Sequence, residues 1–166
     1  MPAQDSESLL ERLIRHQVDF VVIGGFAVIA HGVSLLTEDL DVCCQFDEAS
    51  VRRVHGAVAD LHPVHRLTPQ QVPFELTPHL LATLKNLYLR TDLGILDCLS
   101  NVKGVGEFDV VKQHSIVVEL PIGSCRILDI AALIRSKEAI GEEKDLVAVR
   151  LLKAVQERQR SQGNNR

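Results

Sequence analysis

The stretch from Val18 to Phe46 constrains this chain more than any other part of it. Two apolar segments, "VDFVVIGG" and "DLDVCCQF", are separated by "FAVIAHGVSLLTE", and the second carries Asp39 and Asp41 at alternate positions. An apolar run ended by Gly24 and Gly25 reads as a buried strand stopped at a tight turn. "FAVIAHG" then reads as a short helix closed by Gly32. Aspartate is poorly suited to strand interiors, and a desolvated carboxylate is costly without a partner. Alternate strand positions share a face, so Asp39 and Asp41 emerge on the same side. Two such carboxylates repel unless a cation lies between them. The pattern reads as a site rather than as packing.

The rest of the chain supplies a scaffold. "SESLLERLIRHQ" spaces Leu9, Leu10, Leu13 and Ile14 as a helix, with Ser6 or Ser8 as its cap, and "DEASVRRVHGAVADL" follows the second strand as a helix capped by Asp47. The proline-rich "HPVHRLTPQQVPFELTPH" reads as irregular. "NLYLRTDLGILDCLS" reads as two strands around a turn near Thr91 to Gly94, and "HSIVVELPIGSCRILDI" as a hairpin with Pro121 to Ser124 in its turn. "LDIAALIRSKEAIG" and "EEKDLVAVRLLKAVQERQ" are amphipathic helices, and "RSQGNNR" reads as a frayed end. The expected fold is mixed α/β, of the α+β kind, with a central mixed sheet flanked by helices and a helical C-terminus. Residues 1–160 are expected to form a single domain and 161–166 a flexible tail.

Composition narrows the function. Aromatic residues make up 4% of the 166, too few for a base-stacking platform, and a net charge of -4 does not fit a protein that coats nucleic acid. Cys43, Cys44, Cys98 and Cys125 have no C-x-x-C spacing, and adjacent Cys43 and Cys44 point to opposite strand faces. They read as free thiols of a reducing cytoplasm. The first residues have no apolar leader and no run is long enough to cross a membrane, so a cytoplasmic protein without a membrane partner is expected.

Hard divalent ions take oxygen ligands, and magnesium commonly takes one or two carboxylates plus substrate phosphates. Asp97 interrupts the apolar "LGILDCLS" and is the candidate third carboxylate from a neighbouring strand. Gly24 and Gly25 stand where a strand turns into a helix, a place where backbone N–H groups approach a phosphate. The sequence has neither G-x-x-x-x-G-K-[ST] nor G-x-G-x-x-G, which argues against a P-loop ATPase and a dinucleotide site. Plainer readings stand beside these: a solvated strand edge for Asp39 and Asp41, and a surface acid for Asp97. His31 reads as a helix-end residue complementing the dipole, His62 and His65 as surface histidines, and the charged end "QERQRSQGNNR" as solvated helix or a small RNA-contacting patch.

"VDFVVIGGFAVIAHGVSLLTEDLDV" resembles the core signature of the DNA polymerase β-like nucleotidyltransferase superfamily, a G-G turn opening a helix and D-x-D on the next strand. It is similar in particular to the nucleotidyltransferase toxins of abortive-infection, type IV toxin–antitoxin systems. Gly24, Gly25, Ala27, His31, Gly32, Thr37, Asp39, Leu40 and Asp41 match that group's G-G-x-A, H-G and T-x-D-[IL]-D elements. The resemblance implies transfer of NMP from an NTP to an acceptor, with pyrophosphate released. It implies Asp39, Asp41 and Asp97 as catalytic and metal-binding residues around two magnesium ions, with manganese as a substitute. Gly24, Gly25, Thr37, Lys137 and Lys144 are the implied nucleotide-binding residues. The implied acceptor is RNA, a protein or a small molecule, and the implied partners are a cognate antitoxin or a second copy. Leu35 stands where relatives often carry arginine, and Glu142 where they carry a basic residue. These departures leave an alternative, a catalytically weakened module that binds nucleotide or protein within a toxin–antitoxin-like pair.

Overall fold

The computed structural model of the chain describes residues 3–165. Helix α1 (Ser6–Arg15) is capped by Asp5, whose carboxylate accepts the Ser8 backbone N–H at 3.0 Å. The cap is therefore the acid before the expected serines, because its oxygen reaches the third helical N–H. Strand β1 (Phe20–Ile23) is buried throughout and runs straight into α2 (Gly24–Ala30). The helix opens on the glycines rather than after them, since Gly24 adopts a φ of +67° and turns the chain without a loop. Strand β2 (Asp39–Cys44) returns antiparallel to β1, with Ile23 opposite Asp41. Helix α3 (Glu48–Val58) is capped by Asp47 as expected, through the Ser50 N–H at 2.9 Å.

The proline-rich stretch is not wholly irregular. It contains β3 (Val64–His65) and α4 (Pro78–Thr83). β3 owes its pairing to β4 (Asn86–Thr91), with Val64 opposite Arg90 and His65 opposite Leu89, a long-range contact that local sequence does not reveal. β4 and β5 (Gly94–Leu99) form the expected hairpin. Next come a small pair, β6 (Asn101–Val102) with β7 (Gly106–Glu107), and α5 (Phe108–Gln113), where the sequence pattern assigns no element. β8 (Ser115–Leu120) and β9 (Gly123–Leu128) pair with Leu120 opposite Gly123, so the turn is Pro121 and Ile122 and the strand takes Gly123 and Ser124. Helices α6 (Ile130–Ile140) and α7 (Glu143–Gly163) complete the chain. α7 continues through part of the segment read as a tail, and every side chain from Glu157 to Asn165 is exposed.

Among the described residues the main sheet runs β3-β4-β5-β2-β1-β9-β8. β2 is parallel to β5 and β1 to β9, and the other neighbours are antiparallel. This is the mixed sheet with flanking helices and helical C-terminus that the sequence predicts. Register sorts the centre of the sheet into two faces. Leu40, Leu96 and Leu89 align across three strands, as do Val42, Cys98 and Leu87, and all are buried. The alternate rows set Asp41 beside Asp97 and Tyr88, and Asp39 beside Ile95 and Arg90. One face is core and the other carries the acids.

The four cysteines are free and buried. Burial pushes the Cys43 thiol up to about 12, which keeps it protonated and unsuited to metal ligation. No helix among the described residues is long and apolar enough to cross a membrane.

Candidate active site

Parallel pairing of β2 with β5 places Asp41 directly opposite Asp97, and Asp39 lies two residues before Asp41 on the same face. One oxygen from each of the three carboxylates lies within 4.8 Å of the other two. Asp97 is 4% exposed, while Asp39 and Asp41 are half-buried. Burial pushes the Asp41 carboxyl up to about 7, with Asp39 and Asp97 adding to the shift and Lys137 and Arg66 opposing it. Burial also raises Asp97, against the pull of Arg66. Three carboxylates held this closely repel one another and favour a shared cation.

The glycine turn is pressed against the acids. A Cβ on Gly24 runs into the Asp41 carboxylate, and a Cβ on Gly25 comes within 2.9 Å of Thr37 Oγ1. Thr37 in turn donates its hydroxyl to the Asp39 carbonyl at 3.1 Å and stands 3.3 Å from Asp39 Oδ1. Leu35, in place of the arginine of the resembled group, packs against the same turn, its Cδ1 3.6 Å from the Gly25 Cβ position. The structure thus brings Gly24, Gly25, Thr37, Asp39, Asp41 and Asp97 into one place.

The cations divide differently from the sequence reading. Lys137 on α6 acts on Asp41, and its Nζ donates to Asp145 Oδ1 at 3.0 Å. Lys144 is not brought to the carboxylates: its side chain is 81% exposed and pairs with Glu142 at 3.7 Å. Lys144 and Asp145 are adjacent on α7, about 100° apart around the helix, so only one of them faces inward. Asp145 takes the inner position at 2% exposure, and its second oxygen, Oδ2, has no hydrogen-bond partner. Sequence reasoning singled out its neighbour Lys144 instead.

It missed Arg66 altogether. The Arg66 guanidinium grips Asp97 at both oxygens, Nε donating to Oδ1 at 3.0 Å and Nη2 donating to Oδ2. Its backbone N–H donates to the Tyr88 carbonyl at 3.0 Å, and its guanidinium carbon lies 5.5 Å from the Tyr88 ring centroid. Nothing periodic marks Arg66 in sequence, because its position depends on the β3–β4 pairing. His31 and His62 behave as the plain readings predict, whereas His65, read as a surface histidine, is half-buried in β3. His31 closes α2, with Nε2 2.8 Å from the Leu128 carbonyl, and exposed His62 pairs with Asp92 at 2.6 Å. His65 packs edge-on against Phe74.

No protein-family model matches the sequence, and no curated protein matches it. The fold is that of the nucleotidyltransferases, by likeness to solved structures. The lincosamide antibiotic adenylyltransferase LnuA, in its lincomycin-bound structure, matches with a TM-score of 0.61 and 14% identity over 92% of this chain and 99% of its own. A putative nucleotidyltransferase from Thermotoga maritima matches with a TM-score of 0.52 and 19% identity, over 97% of this chain and 91% of its own. ANT(2")-Ia, in complex with adenylyl-2"-tobramycin, matches with a TM-score of 0.54 and 14% identity over 95% of each chain.

Proposed function

We propose that this chain is a metal-dependent nucleotidyltransferase that moves NMP from an NTP to a hydroxyl group of a small molecule and releases pyrophosphate. One observation carries the reading: Asp39, Asp41 and Asp97 converge within 4.8 Å beside a glycine turn with no room for a side chain. The donor set fits magnesium, being all oxygen and all anionic, with manganese as a substitute. Asp39 and Asp41 would hold the ions with Asp97 completing the set. Such ions, when bound, neutralise the charge on the triphosphate and on the departing pyrophosphate.

The chain's own residues supply position and charge. Gly24 and Gly25 let the β- and γ-phosphates lie against bare backbone. Thr37 orients Asp39, and Lys137 is the lysine that faces the phosphates, with Asp145 holding its ammonium in place. The acceptor oxygen bonds to the α-phosphorus, and the bond from that phosphorus to the α–β bridging oxygen breaks. The bridging oxygen leaves with pyrophosphate, and the acceptor proton passes to the Asp97 carboxylate. Positioning and charge neutralisation carry most of the rate.

The similarity to LnuA, a lincosamide antibiotic adenylyltransferase, and to ANT(2")-Ia, solved with adenylyl-2"-tobramycin, supports a small-molecule acceptor, since both chains match this one almost end to end. The net charge of -4 weighs against a long RNA. The test is incubation with magnesium and each α-labelled NTP, together with a panel of lincosamides and aminoglycosides, total RNA and total protein. Label on a small molecule, lost in the Asp39→Asn/Asp41→Asn double variant, is the expected result. Label on RNA or protein overturns the acceptor class, and no transfer from any NTP to any acceptor overturns the activity.

A further inference from the structure

Arg66 belongs to no motif, yet it makes the closest polar contact to the carboxylate cluster. Its guanidinium forks both oxygens of Asp97, the most buried of the three acids. The Asp97 side chain is 6% exposed and that of Arg66 is 22% exposed, so water screens the pair weakly. The fork is itself anchored: the Arg66 backbone is tied to the Tyr88 carbonyl, and Tyr88 is the β4 residue directly opposite Asp97. Arg66 thus reaches Asp97 from the turn that follows β3, on the side of β5 where β4 and β3 pair.

Two charge facts follow. Without a metal ion, one oxygen from each of three carboxylates lies within 4.8 Å of the other two, a separation at which unscreened repulsion is strong, and Arg66 is a cation hydrogen-bonded to the cluster. A carboxylate has about four lone-pair sites, and the fork uses one on each oxygen. A divalent ion that ligates Asp97 must use what remains, next to a fixed positive charge.

We infer that Arg66 is the resident counter-ion of the metal site: it holds Asp97 in register when no metal is bound, and it competes with a divalent cation for that carboxylate. Arg66 is a positioning residue, acting through Asp97. The consequence is a protein whose carboxylates stay assembled without metal and whose affinity for a free divalent ion is held low. The inference rests on the metal site proposed above, but its test needs no nucleotide.

The test is calorimetric titration of the metal-free protein with manganese alone, for wild type, Arg66→Lys and Arg66→Gln, with melting temperatures measured in chelator and in manganese. Arg66→Gln is expected to bind manganese about tenfold more tightly, from removal of one nearby positive charge, and to melt lower than wild type in chelator, with manganese restoring most of the difference. Arg66→Lys keeps the charge and loses the fork, and falls between the two. If Arg66→Gln does not fold, wild type answers through the Arg66 Nε–H resonance, which is expected to lose its protection from water exchange on magnesium saturation. Manganese binding of equal or weaker affinity in Arg66→Gln, or an Nε–H resonance unmoved by magnesium, overturns the inference and leaves the transferase reading standing. No manganese binding to any of the proteins overturns both. Competition without nucleotidyl transfer overturns the transferase reading alone.

Discussion

Asp41 is the residue on which structure, charge and chemistry meet. Burial, with Asp39 and Asp97 alongside, pushes its carboxyl up to about 7, well above the ordinary carboxylate range. The folded protein therefore binds a proton more tightly than the unfolded chain, and stability falls as pH rises through that window and levels off above it. In chelator, Asp41→Asn is expected to remove this slope, melting above wild type at pH 8 and converging with it towards pH 4. Thermal melts across that range check it. Protons and metal compete for the same oxygens, so manganese affinity of the wild type is expected to rise with pH and flatten past neutrality. The neighbouring Gly24 has no such freedom to change. Its φ of +67° and the Asp41 carboxylate at the Cβ position make Gly24→Ala both strained and crowded. We expect a loss of at least about 1 kcal/mol in denaturant unfolding, together with weaker nucleotide binding by calorimetry.

At the scale of elements, the site is a meeting of β2, β5, the start of α2 and the facing sides of α6 and α7. α6 and α7 cooperate through Lys137 and Asp145, a pair whose side chains are 16% and 2% exposed. Lys137→Ala strands a buried carboxylate, and the expected cost is about 3–5 kcal/mol. Asp145→Asn in the Lys137→Ala background should recover part of that loss, because the unpaired charge is gone, while NTP affinity stays low. A double-mutant cycle read by denaturation and nucleotide binding separates the two effects. Elements with local signals were legible: the Asp47 cap, the two-residue turn between β4 and β5, the amphipathic α6 and α7. β3 and α5 were not. β3 is two residues held by partners on β4, and α5 is six residues long, too short for a period to stand out.

At the scale of the whole molecule, the centre of the sheet sets an apolar layer beneath the acid-bearing face, while β1 beside it is buried on both sides. Leu40, Leu96 and Leu89 line that layer at zero exposure, so Leu96→Ala is expected to cost about 2–5 kcal/mol by chemical denaturation. The end of α7 lies outside the layer, since Val155 is its last buried residue. Removing residues 159–166 is expected to change stability by no more than about 0.5 kcal/mol, and a larger change would show that the exposed end of the helix packs in solution.

By itself the sequence determined the candidate carboxylates, the glycine turn beside them and the class of fold. Strand alternation and glycine's freedom at positive φ are local properties, readable from a few neighbouring residues. Tertiary structure alone decided which cations serve the acids. Asp97 stands opposite Asp41 because β5 lies parallel to β2, and Arg66 reaches Asp97 because β3 joins β4. Lys137 faces the site while Lys144 faces solvent because α7 turns Asp145 inward. A charge finds its partner through register and helix phase across distant segments, and pairings of that kind are set only once the sheet is assembled.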